Sequence, residues 1–235
     1  MNEIDLLLEE FEQNPKDPKV QQKVLDLVKT QVDASELILR IIRRCTSKLS
    51  ESGSHYVAAV ALDFSTGELD SISKQLDESP GLMGKLHSEH LYFVAKCIGC
   101  SPAIDEKLLN EVISRLLSEF DLEVVFPRAA IIAFGDIGEK AIPVLMQYLS
   151  DGTKETFSRE DVALALGMIG TDLVVKELTI CLDKADDDDK AMSLYALGKT
   201  RNTNARQPIL MFLNAYPDHP KTWVARNALA EIPFS

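Results

Sequence analysis

Between Ala133 and Ala230 the alternation of small, large apolar and polar residues returns four times in one short cassette: Ala133-Phe134-Gly135, Ala165-Leu166-Gly167, Ala196-Leu197-Gly198 and Ala228-Leu229-Ala230. The third positions lie 32, 31 and 32 residues apart. Each full interval holds two apolar patterns with i, i+3, i+4 spacing, which predicts two short helices, and a period in the low thirties predicts hairpins stacked along one axis. The fold class is therefore all-α, an α-solenoid of two-helix repeats.

The N-terminal stretch is less regular. Ile4, Leu7, Leu8 and Phe11 share one helical face over 4–12, and Asn14-Pro15-Lys16-Asp17-Pro18 ends that helix. Asp17 reads as the cap of a second helix from Pro18 to about Val32, because proline at the first helical position loses no bond. Asp33 can cap a third, striped by Leu37, Ile38, Ile41, Cys45 and Leu49. Arg40, Arg43, Arg44 and Lys48 form a basic stripe on another face of it, readable either as an anion or acidic-partner site or as a solvated face beside acidic helices.

Two weaker cassettes, Ala61-Leu62-Asp63 and Cys97-Ile98-Gly99, precede the regular ones at steps of 36 residues. Pro80-Gly81 breaks the chain between them, and a helix is expected from Asp105 to Phe120. The organisation expected is one solenoid domain over 1–235: capping helices in 1–50, divergent repeats in 51–126 and regular repeats in 127–235. In the last part the helices should cover 127–138 and 141–149, then 162–169 and 173–182, then 191–200 and 205–213. A final half repeat follows at 223–232. The cassette's small residues are expected where helices approach closely.

The run Arg128-Ala129-Ala130-Ile131-Ile132-Ala133-Phe134-Gly135-Asp136-Ile137-Gly138, followed by Ala141-Ile142-Pro143-Val144-Leu145, resembles the HEAT-like repeat first named from phycobilisome lyases. Residues 127–232 carry the resemblance well and 51–126 loosely. Arg128 stands at that repeat's helical arginine; Glu160, Ala191 and Trp223 stand at the corresponding places later. The resemblance implies a right-handed α-solenoid and a menu of protein-binding scaffolds, assembly chaperones and a few enzymes.

Charge narrows that menu. The net charge is −12, and residues 51–200 carry 26 acidic against 13 basic side chains. Such a surface repels phosphate backbones, which disfavours nucleic acid as a partner, and with it the HEAT-like DNA glycosylases that the resemblance would admit. It argues equally against anionic membranes. The opening Met1-Asn2-Glu3-Ile4-Asp5 has no signal-sequence character, and no apolar run approaches the ~18 residues that span a bilayer, so a cytoplasmic protein with reduced thiols is expected.

Candidate chemistry is sparse. Cys97-Ile98-Gly99-Cys100 has C-x-x-C spacing, but the βαβ setting of a redox motif is not written here. On one continuous helix His87 would lie ~15 Å from Cys97, too far for one ion. Cys97 also occupies the cassette's small position, so packing explains it.

Asp186-Asp187-Asp188-Asp189-Lys190 reads as a solvated turn whose carboxylates favour the following helix N-terminus, since it lacks the ligand pattern of a calcium loop. No nucleophile elbow or phosphate loop appears. The four histidines, His55, His87, His90 and His219, supply no paired base, and the His-Glu pairs of HEAT-repeat hydroxylases are missing. The expectation is a protein that is not an enzyme and has no cofactor or metal.

The function read from this pattern is a scaffold or adaptor binding another protein on a concave face built from the second helices, with a bilin-lyase-like or maturation chaperone as the alternative. Gln147, Tyr148, Thr179, Met211 and Phe212 are the candidate partner-binding residues, chosen as lying off the main core stripe. Trp223, at the start of the last helix, is the sixth. Tyr148, Met211 and Phe212 could instead cover the next hairpin, and Trp223 could seal the end of the array.

Overall fold

The computed structural model describes residues 3–14, 17–42, 91–121, 127–154, 156–184 and 187–234. Among the described residues all regular structure is helical. The backbone forms two compact units, 1–114 and 115–235. The divisions expected at 50 and 126 fall outside the described residues, as does most of the divergent region.

In the first unit, α1 (Glu3–Gln13) packs on α2 (Pro18–Thr30). The Asp17 carboxylate accepts the Lys19 amide at 2.8 Å, the expected cap. The helix α3 covers 35–42, and Asp33 accepts both the amide and the hydroxyl of Ser35 at its start. These two bonds, the side-chain one first, hold the Asp33 carboxyl below its ordinary pKa.

The helix α4 covers 91–100, and its Phe93 stacks on Phe11 with ring centroids 4.9 Å apart. After it, Asp105 caps α5 (Glu106–Asp121) through the Leu108 amide, while its own amide donates to Ser35 Oγ at 2.7 Å. Leu8, Phe11, Val24, Val28, Ile38, Ile41, Ile98 and Val112 are fully or almost fully buried in this unit.

The second unit holds the regular repeats. First helices α6 (Pro127–Ile137), α8 (Thr156–Ile169), α10 (Asp187–Thr200) and α12 (Thr222–Glu231) alternate with second helices α7 (Ile142–Leu149), α9 (Asp172–Lys184) and α11 (Arg206–Ala215). Short 3₁₀ turns at Gly138–Ala141 and Thr203–Ala205 lead into α7 and α11. Each first helix packs on the next: α6 on α8, α8 on α10 and α10 on α12.

The cassette explains how that stack closes. A methyl group added at Gly167 would sit 2.5 Å from Lys199 Cβ, and one at Gly198 would sit 2.7 Å from Ala228 Cα. At Gly135 the nearest atom would be Met168 Cβ, at 3.2 Å. The small residue of each repeat is thus where the next first helix lies against it, and the sequence expectation of close approach is met between successive repeats.

Hairpin reversal uses the left-handed region. Gly138 and Gly170 have φ of 72° and 60° just after α6 and α8. At the same place after α10 the chain puts Arg201, at φ 50°. Glycine takes this conformation freely and a residue with a Cβ does not.

Candidate interaction faces

Polar side chains tie each repeat to the next at separations of about one repeat. In α8 the buried Arg159 donates from Nε to the Leu149 carbonyl at 2.8 Å, satisfying the end of α7, and pairs with Asp189 in the first turn of α10. Asp188 receives Lys221 at 3.0 Å, just ahead of α12, and Lys199 reaches both oxygens of Glu231 at 2.7 and 2.9 Å. Asn202 donates to the Gly170 carbonyl at 3.1 Å and to Asp172 at 2.9 Å, and Asn204 adds a second bond to Asp172 at 2.9 Å.

Arg206 completes the set. It donates to the carbonyls of Leu229 and Ile232 at 3.3 and 3.0 Å, capping α12 from the neighbouring helix, and lies 4.2 Å from the Phe234 ring centroid. With the helix ends held this way, the outward side chains of the second unit sit on a fixed frame.

The second helices share one register. Leu145, Leu178 and Ile209 are each completely buried on α7, α9 and α11. Two residues further on, about 200° around the helix, the side chain must face away from the core. Those positions are Gln147, Ile180 and Met211, all exposed, with Met211 63% open to solvent. Leu210 and Tyr216 extend the exposed apolar surface on and just after α11.

This register corrects part of the sequence reading. Tyr148 and Phe212 are buried, because each stands three residues beyond a buried core position and so points inward. Phe212 packs against Tyr216 and His219, at centroid distances of 5.5 and 5.3 Å, and Lys154 Nζ lies 4.7 Å over the Tyr148 ring. Thr179 is half-buried, and its hydroxyl donates to the Val175 carbonyl of its own helix at 2.7 Å. Ile180, which sequence reasoning passed over, takes its place in the row; counting two residues on from Leu178 would have found it.

Trp223 is exposed but belongs to α12, in the layer of first helices, so it does not join Gln147 and Met211. In the first unit Arg40 is half-buried and ion-paired with Asp5 of α1, while Arg43, Arg44 and Lys48 lie outside the described residues. The basic stripe is therefore represented by one arginine, held inside its own unit.

Cys97 is completely buried on α4 and Cys100 half-buried, in keeping with packing. Cys45, His55, His87 and His90 lie outside the described residues. The acidic run differs from the expected solvated turn: residues 187–190 are already helical, and Asp188 and Asp189 are engaged by Lys221 and Arg159. Lysine and arginine from adjacent repeats draw this turn into the stack, and Arg159 itself escaped sequence reasoning because the repeat register pointed to its neighbour, Glu160. Among the described residues no cluster of His, Cys, Asp or Glu has a metal-binding arrangement.

Residues 109–198 match the family model described as HEAT repeats, a span from α5 to the cassette glycine of α10. That match and the stacked hairpins support a HEAT-repeat protein with the architecture of an α-solenoid. No curated protein matches the chain. Among the described residues no helix is long and apolar enough to cross a membrane.

Proposed function

We propose that this chain is a protein-binding scaffold, and that the row Gln147, Ile180 and Met211, widened by Leu210 and Tyr216, receives its partner. The observation that carries this reading is the shared register of α7, α9 and α11, which presents equivalent side chains at successive repeats and leaves apolar ones open on two of them. An extended partner segment could meet one repeat after another along such a row. The flanking Lys176, Glu177, Asp183, Gln207 and Asn214 give the row a mixed polar rim, suited to a partner with an apolar centre and polar edges.

The test combines affinity capture from the source organism with a photo-crosslinking residue at position 211. One captured protein should crosslink at 211, and the double variant Ile180→Asp, Met211→Asp should weaken its binding at least tenfold, about 1.4 kcal/mol, with the helical spectrum unchanged. Retention of every captured protein at wild-type strength would overturn the reading.

A further inference from the structure

The stacking of first helices leaves one face of α12 uncovered. On α10, the residues facing α12 are Ala191, Leu194, Tyr195 and Gly198: the first two and the glycine are buried, Tyr195 is half-buried, and Gly198 touches Ala228. Moving on by 32 residues, the spacing of Lys199 and Glu231 at the ends of the same two helices, gives Trp223, Arg226, Asn227 and Ala230. All four are exposed. The same geometry that seats α12 on α10 is repeated on the far side of α12, with nothing seated there.

The chemistry of that face is self-complementary. If a second α12 runs antiparallel across a two-fold axis midway between Ala228 and Leu229, Arg226 stands opposite Glu231 of the other copy, Asn227 opposite Ala230, and Trp223 opposite Phe234. Each pairing then occurs twice, as an isologous contact requires. Ala230, at the cassette's small position, lets the two backbones approach. Glu231 already accepts Lys199, but a carboxylate has about four lone-pair sites and can take a second cation. Trp223 and Phe234, 63% and 88% exposed, are the largest apolar groups available to be covered.

We infer that α12 is a homodimerisation helix that pairs with α12 of a second copy of this chain in this antiparallel register. The contact continues the first-helix stack across the two-fold axis, and it leaves the Gln147, Ile180 and Met211 row on a different layer. A ten-residue helix is about 15 Å long. A pair of that size buries less than the ~800 Å² per partner of a typical stable complex, so the dimer should form in the range of tens of micromolar.

Sedimentation velocity of the full chain from about 5 to 500 µM tests this, with Trp223 as the sole tryptophan emission probe. The weight-average mass should climb from 26.1 kDa toward twice that value, with a blue shift of the emission over the same range. Arg226→Glu and, independently, Ala230→Glu should hold the protein at 26.1 kDa with unchanged helicity and melting temperature. In a mixture of Asn227→Cys and Ala230→Cys chains, oxidation should link 227 to 230 in the peptide map in preference to 227 to 227. A wild-type monomer at the highest concentration, a dimer that survives both substitutions, or a predominant 227–227 link would each overturn the inference.

Discussion

The guanidinium of Arg159 and the carboxylate of Asp189 meet across a repeat boundary, with Arg159 also holding the Leu149 carbonyl at 2.8 Å. One buried side chain thereby joins α7, α8 and α10. Removing one member of a buried pair leaves the other charge uncompensated, which destabilises by about 3–5 kcal/mol, whereas replacing both with apolar groups is often near neutral. Asp189→Asn should therefore lower the urea midpoint of the second unit strongly. The double variant Arg159→Met, Asp189→Leu should recover part of that loss, limited by the freed Leu149 carbonyl, and a thermodynamic cycle from chemical denaturation checks both.

Arg201 occupies the left-handed position that Gly138 and Gly170 fill in the preceding repeats. Arg201→Gly should raise stability by about 1 kcal/mol, because the Cβ clash of that conformation disappears. Gly170→Ala should do the reverse, since its methyl would also lie 3.1 and 3.2 Å from the Gly167 and Thr200 carbonyl oxygens. Thermal melting of the two variants should shift in opposite directions.

Gly198→Ala places a methyl 2.7 Å from the Cα and 2.9 Å from the Cβ of Ala228, on a backbone that cannot swing aside. Overpacking of this kind destabilises by about 1–3 kcal/mol. Gly152→Ala meets no atom within 4 Å and serves as the control, with a melting temperature close to wild type.

Two carboxylates of the second unit should bend the pH dependence of stability in opposite senses. Bonds from Asn202, then Asn204, hold Asp172 below its ordinary pKa of 3.8, so its contribution is present above that value and lost as pH falls through the lower folded one. Burial, and secondarily the charge of Glu160, push Asp161 above 3.8, so stability falls as pH rises from 3.8 through the raised folded value. Asp172→Asn should flatten the acid limb of a stability profile, and Asp161→Asn should raise stability at pH 7 relative to pH 3. Denaturant midpoints across that range would refute the assignment if either slope were unchanged.

Much of this architecture is legible in the chain itself. The cassette spacing marks the first helices, Asp17 and Asp33 mark helix starts, and Gly138 and Gly170 mark turns, because these are local demands that a residue's own backbone imposes. The acidic balance is likewise a property of composition. The faces of the helices were harder to read. An inner helix such as α10 is packed by α8, α9 and α12, so apolar and small residues surround most of it and periodicity selects no single side.

Only the tertiary structure decided that Tyr148 and Phe212 point inward while Gln147, Ile180 and Met211 point out, since that depends on how each second helix is rotated against its neighbours. The pairing of Arg159 with Asp189, and of Asn202 and Asn204 with Asp172, depends on the rise from one repeat to the next, which no local pattern records. The cassette determined by itself that helices would stack. Which residues the stack leaves exposed, Trp223 and Ala230 on α12 among them, follows from packing between segments some thirty residues apart.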